Sequence, residues 1–217
     1  MPPRFVARQL SKPAGLLGRL FGKLMNRHNA KMNAFALQLL EAGPADRVVE
    51  IGFGGGIALS RLIDSTGFVA GIDRSPDAVR WARSKFSEPV AKGMVTFQLG
   101  LVEALPLDDE TFDKAITVNT VYFWKSLKCG FREIHRILVP GGKVVIGFLP
   151  KEFMDKMKMP TDIFTTRTVD DVVGAARAAG FYEICLQRPQ PETSWVIMVA
   201  SRTRDSMLMG TEIEEHT

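Results

Sequence analysis

The stretch Val48-Val49-Glu50-Ile51-Gly52-Phe53-Gly54-Gly55-Gly56 constrains this chain more than any other. A β-branched run that ends in an acid opens into a glycine-rich loop. Glycine reaches backbone conformations closed to other residues, so the strand can turn sharply and its backbone can approach a ligand. The helix that follows aims free N–H groups and its positive dipole end into the same space. Taken alone, such a loop also fits a tight turn with no ligand. Spacing narrows the choice. A dinucleotide fingerprint places glycines as G-x-G-x-x-G, with the third at position 57. That position is Ile57, and the glycines fall instead at 52, 54 and 56.

Around the loop, strand-like runs alternate with helical spacing. Strands are predicted over Arg47–Ile51, Phe68–Asp73, Met94–Leu99, Lys114–Asn119 and Lys143–Phe148, with helices near Ile57–Asp64, Pro76–Phe86 and Phe131–Leu138. Pro140-Gly141-Gly142 reads as a breaker after the third of these helices. A further helix is expected over Thr168–Ala179, then strands over Tyr182–Gln187 and Trp195–Ala200. Strands alternating with helices predict a mostly parallel sheet covered on both faces. The loop Arg188–Ser194 is too short for a parallel crossover, so the last two strands should form an antiparallel hairpin. The expected fold class is α/β: a doubly wound, Rossmann-like, seven-stranded sheet with a C-terminal antiparallel hairpin.

The chain's 217 residues suit one domain, and 46% hydrophobic with 24% charged residues excludes a disordered or fibrous chain. A net charge of +4 is too small to mark a nucleic-acid binder. The first 40 residues nonetheless carry seven basic side chains and no acid, which leaves −3 on the rest. Cys129 and Cys185 stand apart without metal-ligand spacing, which fits a reducing, cytoplasmic setting and no metal. Asp108-Asp109-Glu110 reads as a solvated turn. No apolar run is long enough for a membrane span.

The glycine motif with its acid resembles motif I of the class I S-adenosylmethionine-dependent methyltransferases, and the likeness continues along the chain. Asp73 ends the second strand, GLVEALPLDDETFD (Gly100–Asp113) follows the third, NTVYFW (Asn119–Trp124) follows the fourth, and EIHRILVPGG (Glu133–Gly142) precedes the fifth. The resemblance implies transfer of a methyl group from S-adenosylmethionine by in-line displacement to a small-molecule acceptor. It implies that Glu50 orients the cofactor's ammonium, that Gly52, Phe53, Gly54 and Gly56 admit its methionine and ribose, and that Asp73, with Arg74 beside it, holds the ribose hydroxyls. Val102 and Glu103 would meet the adenine, Leu101 standing where the family often has an acid, and Asn119 would lie beside the methyl group. Tyr122 and His28 are the candidate proton acceptors. An aromatic wall is the competing reading of Tyr122, and a solvent-facing helix histidine that of His28.

Residues 1–41 are expected to form a basic N-terminal helical segment whose part Gly22–Leu40 covers the acceptor pocket. A surface for anionic lipid, giving peripheral membrane contact, and a solvated arm are the alternatives, and residues 1–12 are left unassigned. Within the domain 42–202, the methionine-bearing insertion 151–167 reads either as a lid or as an amphipathic surface helix. Residues 203–217 read as a mobile tail. Two other functions stay open on the sequence: an NAD(P)-dependent oxidoreductase, and a non-catalytic module that binds S-adenosylmethionine as a regulator. Oligomeric state is not legible.

Overall fold

The computed structural model describes residues 29–203. Within them a seven-stranded sheet runs β1 (Arg47–Ile51), β2 (Phe68–Asp73), β3 (Val95–Leu99), β4 (Phe112–Val118), β5 (Leu138–Phe148), β6 (Phe181–Gln187) and β7 (Val196–Arg202) in chain order. Their spatial order is β3-β2-β1-β4-β5-β7-β6. β1 to β5 run parallel to one another, and β7 is antiparallel to β5 and to β6, the latter as the short β6–β7 connection required.

Side chains alternate between two cores, one on each face. Val48, Ile116, Val145 and Ile197 point to one face, and Val49, Ala115, Val144 and Met198 to the other. A helix over residues 29–40 (α1), α2 (Leu59–Ser65) and α3 (Pro76–Lys85) supply the first cover through buried Ala36, Leu62 and Ala82. α5 (Leu127–Ile137) and α7 (Val169–Ala178) supply the second through Phe131, Ile134 and Val172. Three of these helices are started by a legible signal. Ser75 accepts from the Ala78 N–H ahead of Pro76, Ser126 accepts from Cys129, and Thr168 forms a capping box with Asp171.

Two differences from the sequence reading have local causes. A short helix, α4 (Ser87–Ala91), follows α3; its Pro89 sits in the first turn, where the missing N–H is not needed. Pro140-Gly141-Gly142 does not separate α5 from β5 but lies inside the strand's first half. The sheet slips register there, and a Cβ on Gly142 would meet the Val139 carbonyl oxygen at 2.8 Å, so only glycine permits the passage. Asp108, Asp109 and Glu110 lie in an exposed turn, as expected, where Asp109 and Glu110 pair with Arg136 and Arg202.

The two directions of winding part between β1 and β4. Open α/β sheets bind ligands in the crevice beyond the strand ends at such a switch point. Among the described residues no helix is long and apolar enough to cross a membrane.

Candidate functional site

A cavity of about 140 Å³ opens at that switch point. Its floor is the motif I loop. The Gly52 N–H donates to the Ile72 carbonyl at 2.7 Å, and the left-handed φ of 74° at Gly52 turns the chain off β1. Gly54 has φ 47°, and a Cβ built on it would find nothing within 4 Å. The loop therefore keeps open space beside its backbone, which a ligand can fill. Gly56 corrects the sequence reading. It is buried, absent from the cavity wall, and a Cβ there would meet the Trp81 ring at 2.8 Å. Its role is close packing of the loop on α3, while Ile57, in the position of a dinucleotide's third glycine, lines the cavity.

Two carboxyls face this space from adjacent strands. Asp73, at the end of β2, accepts the Gly54 N–H on Oδ2 and the Ser75 N–H on Oδ1, both at 2.8 Å. Burial raises its pKa, against the lowering effect of those two N–H groups and of Arg74. It is not the helix cap, which is Ser75. Each oxygen keeps a lone pair for a further donor. Glu50 is 7% exposed, and its Oε2 has no hydrogen-bond partner among the described residues. Burial, with Asp73 adding repulsion, pushes its pKa up to about 8. An unpaired buried carboxyl costs free energy until a cationic donor reaches it. The pair fits a group that brings an ammonium and hydroxyls.

The remaining walls come from four places. After β3, Leu101, Val102 and Glu103 line one side. Glu133 accepts the Leu105 N–H at 2.8 Å, and Arg136 donates to the carbonyls of Leu105 and Leu107, which ties this segment to α5. Glu103 Oε1 accepts both the Lys125 N–H at 2.6 Å and the Ser126 N–H at 3.4 Å, so its second oxygen is the one left for a ligand. Arg74 is exposed, with its guanidinium 5.8 Å from the Phe123 ring centre. From the loop after β4 come Asn119, Thr120, Phe123 and Trp124, and from α1 come Asn29 and Asn33.

Asn119 takes φ 59°, a left-handed conformation that a non-glycine residue holds only where its surroundings enforce it. Its N–H donates to the Gly147 carbonyl at 2.8 Å, and its Oδ1 accepts the Tyr122 hydroxyl at 3.0 Å. Tyr122 is buried and absent from the cavity wall. Its oxygen accepts the Leu149 N–H at 2.5 Å, and burial lifts the phenol far above its usual pKa. The geometry is unfavourable for a proton acceptor and also removes Tyr122 from the wall. His28 lies outside the described residues.

The insertion 151–167 also lies off the cavity. It holds the short helix α6 (Lys151–Lys156), buries Met154, and seats Phe164 on Phe123 with ring centres 5.0 Å apart. Sequence reasoning placed Asn29 and Asn33 within the expected pocket cover Gly22–Leu40 but did not single them out as site residues. A legible signal was there: two amides four residues apart fall on one helix face amid apolar neighbours. It also missed Thr117 and Thr120. Thr117 donates to the Ile51 carbonyl at 2.7 Å, pinning the end of β1 to β4 beneath the loop.

Comparison with known proteins points one way. A family model described as a methyltransferase domain matches residues 49–146. An uncharacterized methyltransferase of Bacillus subtilis, YdaC, is 30% identical over 168 residues, covering 76% of this chain and 88% of that protein. The ubiquinone/menaquinone biosynthesis C-methyltransferase UbiE of a Geobacter species is 28% identical over 60% of this chain, which spans 56% of that enzyme. Among solved structures, an S-adenosylmethionine-dependent methyltransferase from Mesorhizobium loti superposes with a TM-score of 0.65 at 18% identity, over 78% of this chain and 96% of that one.

Proposed function

The chain belongs to the class I S-adenosylmethionine-dependent methyltransferases, and from that premise we propose that it methylates a small-molecule acceptor taken into the crevice above β1 and β4. The observation that carries the reading is enclosure. Asn29 and Asn33 of α1 and the Phe123–Trp124 pair line the same cavity as the two carboxyls, so side chains bound the space beside the cofactor groups. The quinone-biosynthesis relative supports a small acceptor as well.

When bound, S-adenosylmethionine supplies a methyl group already activated on a sulfonium. What remains for the protein is position, which can supply roughly 7–11 kcal/mol of the barrier. We assign Glu50 to the cofactor's ammonium, Asp73 to the ribose hydroxyls, Gly52 and Gly54 to close passage of its backbone-facing side, and Asn119 to the methionine end. Val102 and Leu101 form the apolar wall for the adenine. Within the described wall the titratable side chains are Glu50, Asp73, Arg74 and Glu103. The first two are assigned to the cofactor, so the acceptor we favour brings a group already nucleophilic near neutral pH. His28 is the further candidate for accepting a proton, and its alanine variant tests that assignment.

Incubation with methyl-labelled S-adenosylmethionine and fractionated cell extract tests the proposal. Label is expected in the low-mass fraction. Label only in RNA or protein, or no transfer by a chain that binds S-adenosylhomocysteine, overturns it.

A further inference from the structure

We infer that Tyr122 is a positioning residue: its hydroxyl fixes the side-chain amide of Asn119 so that the cavity meets an N–H donor and not a carbonyl. The argument starts from proton accounting at one buried oxygen. The Leu149 backbone N–H can only donate, and it does so to the Tyr122 oxygen at 2.5 Å. The hydroxyl has one proton, and its other neighbour is Asn119, 3.0 Å away. Were the Asn119 amide turned over, its NH₂ would face that hydroxyl as a second donor, and the phenolic proton would be left buried without an acceptor. That costs about as much as a lost hydrogen bond. The arrangement with Oδ1 toward Tyr122 is therefore fixed by an obligatory donor just past the end of the adjacent strand β5, and Nδ2 is the group left for the cavity that Asn119 lines.

The surroundings hold Tyr122 in place for this task. It is 5% exposed, its ring packs against Phe164 and Phe123, and its carbonyl accepts the Thr165 N–H at 3.0 Å. Burial keeps the phenol protonated throughout the working pH range, so the donor is never lost to titration. The insertion after β5 thereby reaches the cofactor crevice without entering it: Phe164 and Thr165 seat Tyr122, and Tyr122 orients Asn119.

The inference rests on the reading of Asn119 as a cofactor contact, and a double-mutant cycle in S-adenosylhomocysteine affinity, measured by calorimetry, separates the two. Tyr122→Phe is expected to weaken binding by about three- to tenfold, the range of one neutral hydrogen bond. On an Asn119→Gly background, which removes the amide and tolerates the left-handed φ, the same change should leave affinity within about 1.5-fold, because nothing remains to orient. An equal loss on both backgrounds would mean that Tyr122 acts through the fold at large, and no loss on the parent would mean that it does not act; either overturns the inference. Asn119→Asp gives a route that does not depend on Tyr122→Phe folding well. It keeps an acceptor for the phenol but offers the cavity an acceptor in place of a donor, so it should bind as poorly as Asn119→Gly. Parent-like binding by Asn119→Asp would show that no donor is needed. A parent chain that fails to bind S-adenosylhomocysteine strikes the cofactor reading itself.

Discussion

Where the strands of the sheet begin, Asp46 receives Lys114 at 2.8 Å, Glu41 pairs with Lys143, and Asp113 takes the Arg47 N–H at 2.8 Å. Where the strands end, among the described residues Glu50 has an oxygen with no partner and Asp73 is hydrogen-bonded by backbone N–H groups. The chemistry of the acids diverges accordingly. Burial would raise Asp46, but the hydrogen bond from Lys114 and its neighbours outweighs it and the pKa falls. At Glu50 burial acts unopposed and the pKa rises. One end of the sheet spends its carboxylates on holding the fold, with the lysines also seating the C-terminal end of α1 through the Leu39 and Glu41 carbonyls. The other end holds its carboxyls in reserve for a ligand.

The largest effect that can break this contrast is the pH dependence of stability. Below about pH 4.5 the Glu50 carboxyl is neutral in folded and unfolded chains alike. As pH rises, the unfolded chain loses that proton first, while the folded chain keeps it until about pH 8. The stabilising contribution is thus complete at low pH and is lost on the way to pH 8, by on the order of 5 kcal/mol. Asp73, also raised, adds in the same sense. Urea unfolding of the ligand-free chain at pH 5, 7 and 8.5 should show this decline, and Glu50→Gln should flatten most of it. Saturation with S-adenosylhomocysteine should flatten it too, with proton release on binding at pH 7. A wild-type chain equally stable across that range would mean that the two ends do not differ.

Next in size is Asp73→Ala, expected to weaken S-adenosylhomocysteine binding by ~1.5–3 kcal/mol, the worth of hydrogen bonds to a charged group. Because Gly54 and Ser75 also lose their acceptor, thermal unfolding should fall with it. Unchanged affinity in calorimetry would take Asp73 out of the site.

These roles were unequally visible in the sequence. The seven strands, the hairpin and the acids at the ends of β1 and β2 could be read because each rests on a local pattern: β-branched runs, a connection of seven residues, an acid at a strand end. Gly56 and Tyr122 could not be placed by pattern. What decides them is a neighbour distant in sequence, Trp81 for the glycine and Leu149 for the phenol. The same holds for Asp109 and Glu110, whose partners Arg136 and Arg202 come from α5 and β7. Local chemistry announces that a group is available, whereas burial by remote elements determines whether it is spent.

Lys114→Met sharpens the comparison from the other end. It removes the partner of Asp46 and a donor to the Glu41 carbonyl, at a partly exposed site where such pairs contribute about 1 kcal/mol. The sign of its pH dependence is opposite to that of Glu50. The lowered Asp46 pKa stabilises the fold above the unfolded value and is lost as pH falls through the folded one, so the variant should differ most from wild type near neutrality and least in acid. S-adenosylhomocysteine affinity should not change.

The smallest expected effect tests whether α1 belongs to both ends at once. Its C-terminal end is seated by the two lysines, while Asn33 near its other end is 7% exposed on the cavity wall. The Asn33 Nδ2 donates to the Asn29 carbonyl at 3.0 Å, so the side chain braces its own helix as well as facing the ligand space. Asn33→Ala should therefore cost about 0.5–1 kcal/mol in stability for that brace. If α1 bounds the acceptor side as proposed, the variant should raise KM for the acceptor and leave S-adenosylhomocysteine affinity unchanged. A loss of cofactor affinity instead would move α1 from the acceptor's wall to the cofactor's, and the enclosure argued from Asn29 and Asn33 would then describe one ligand and not two.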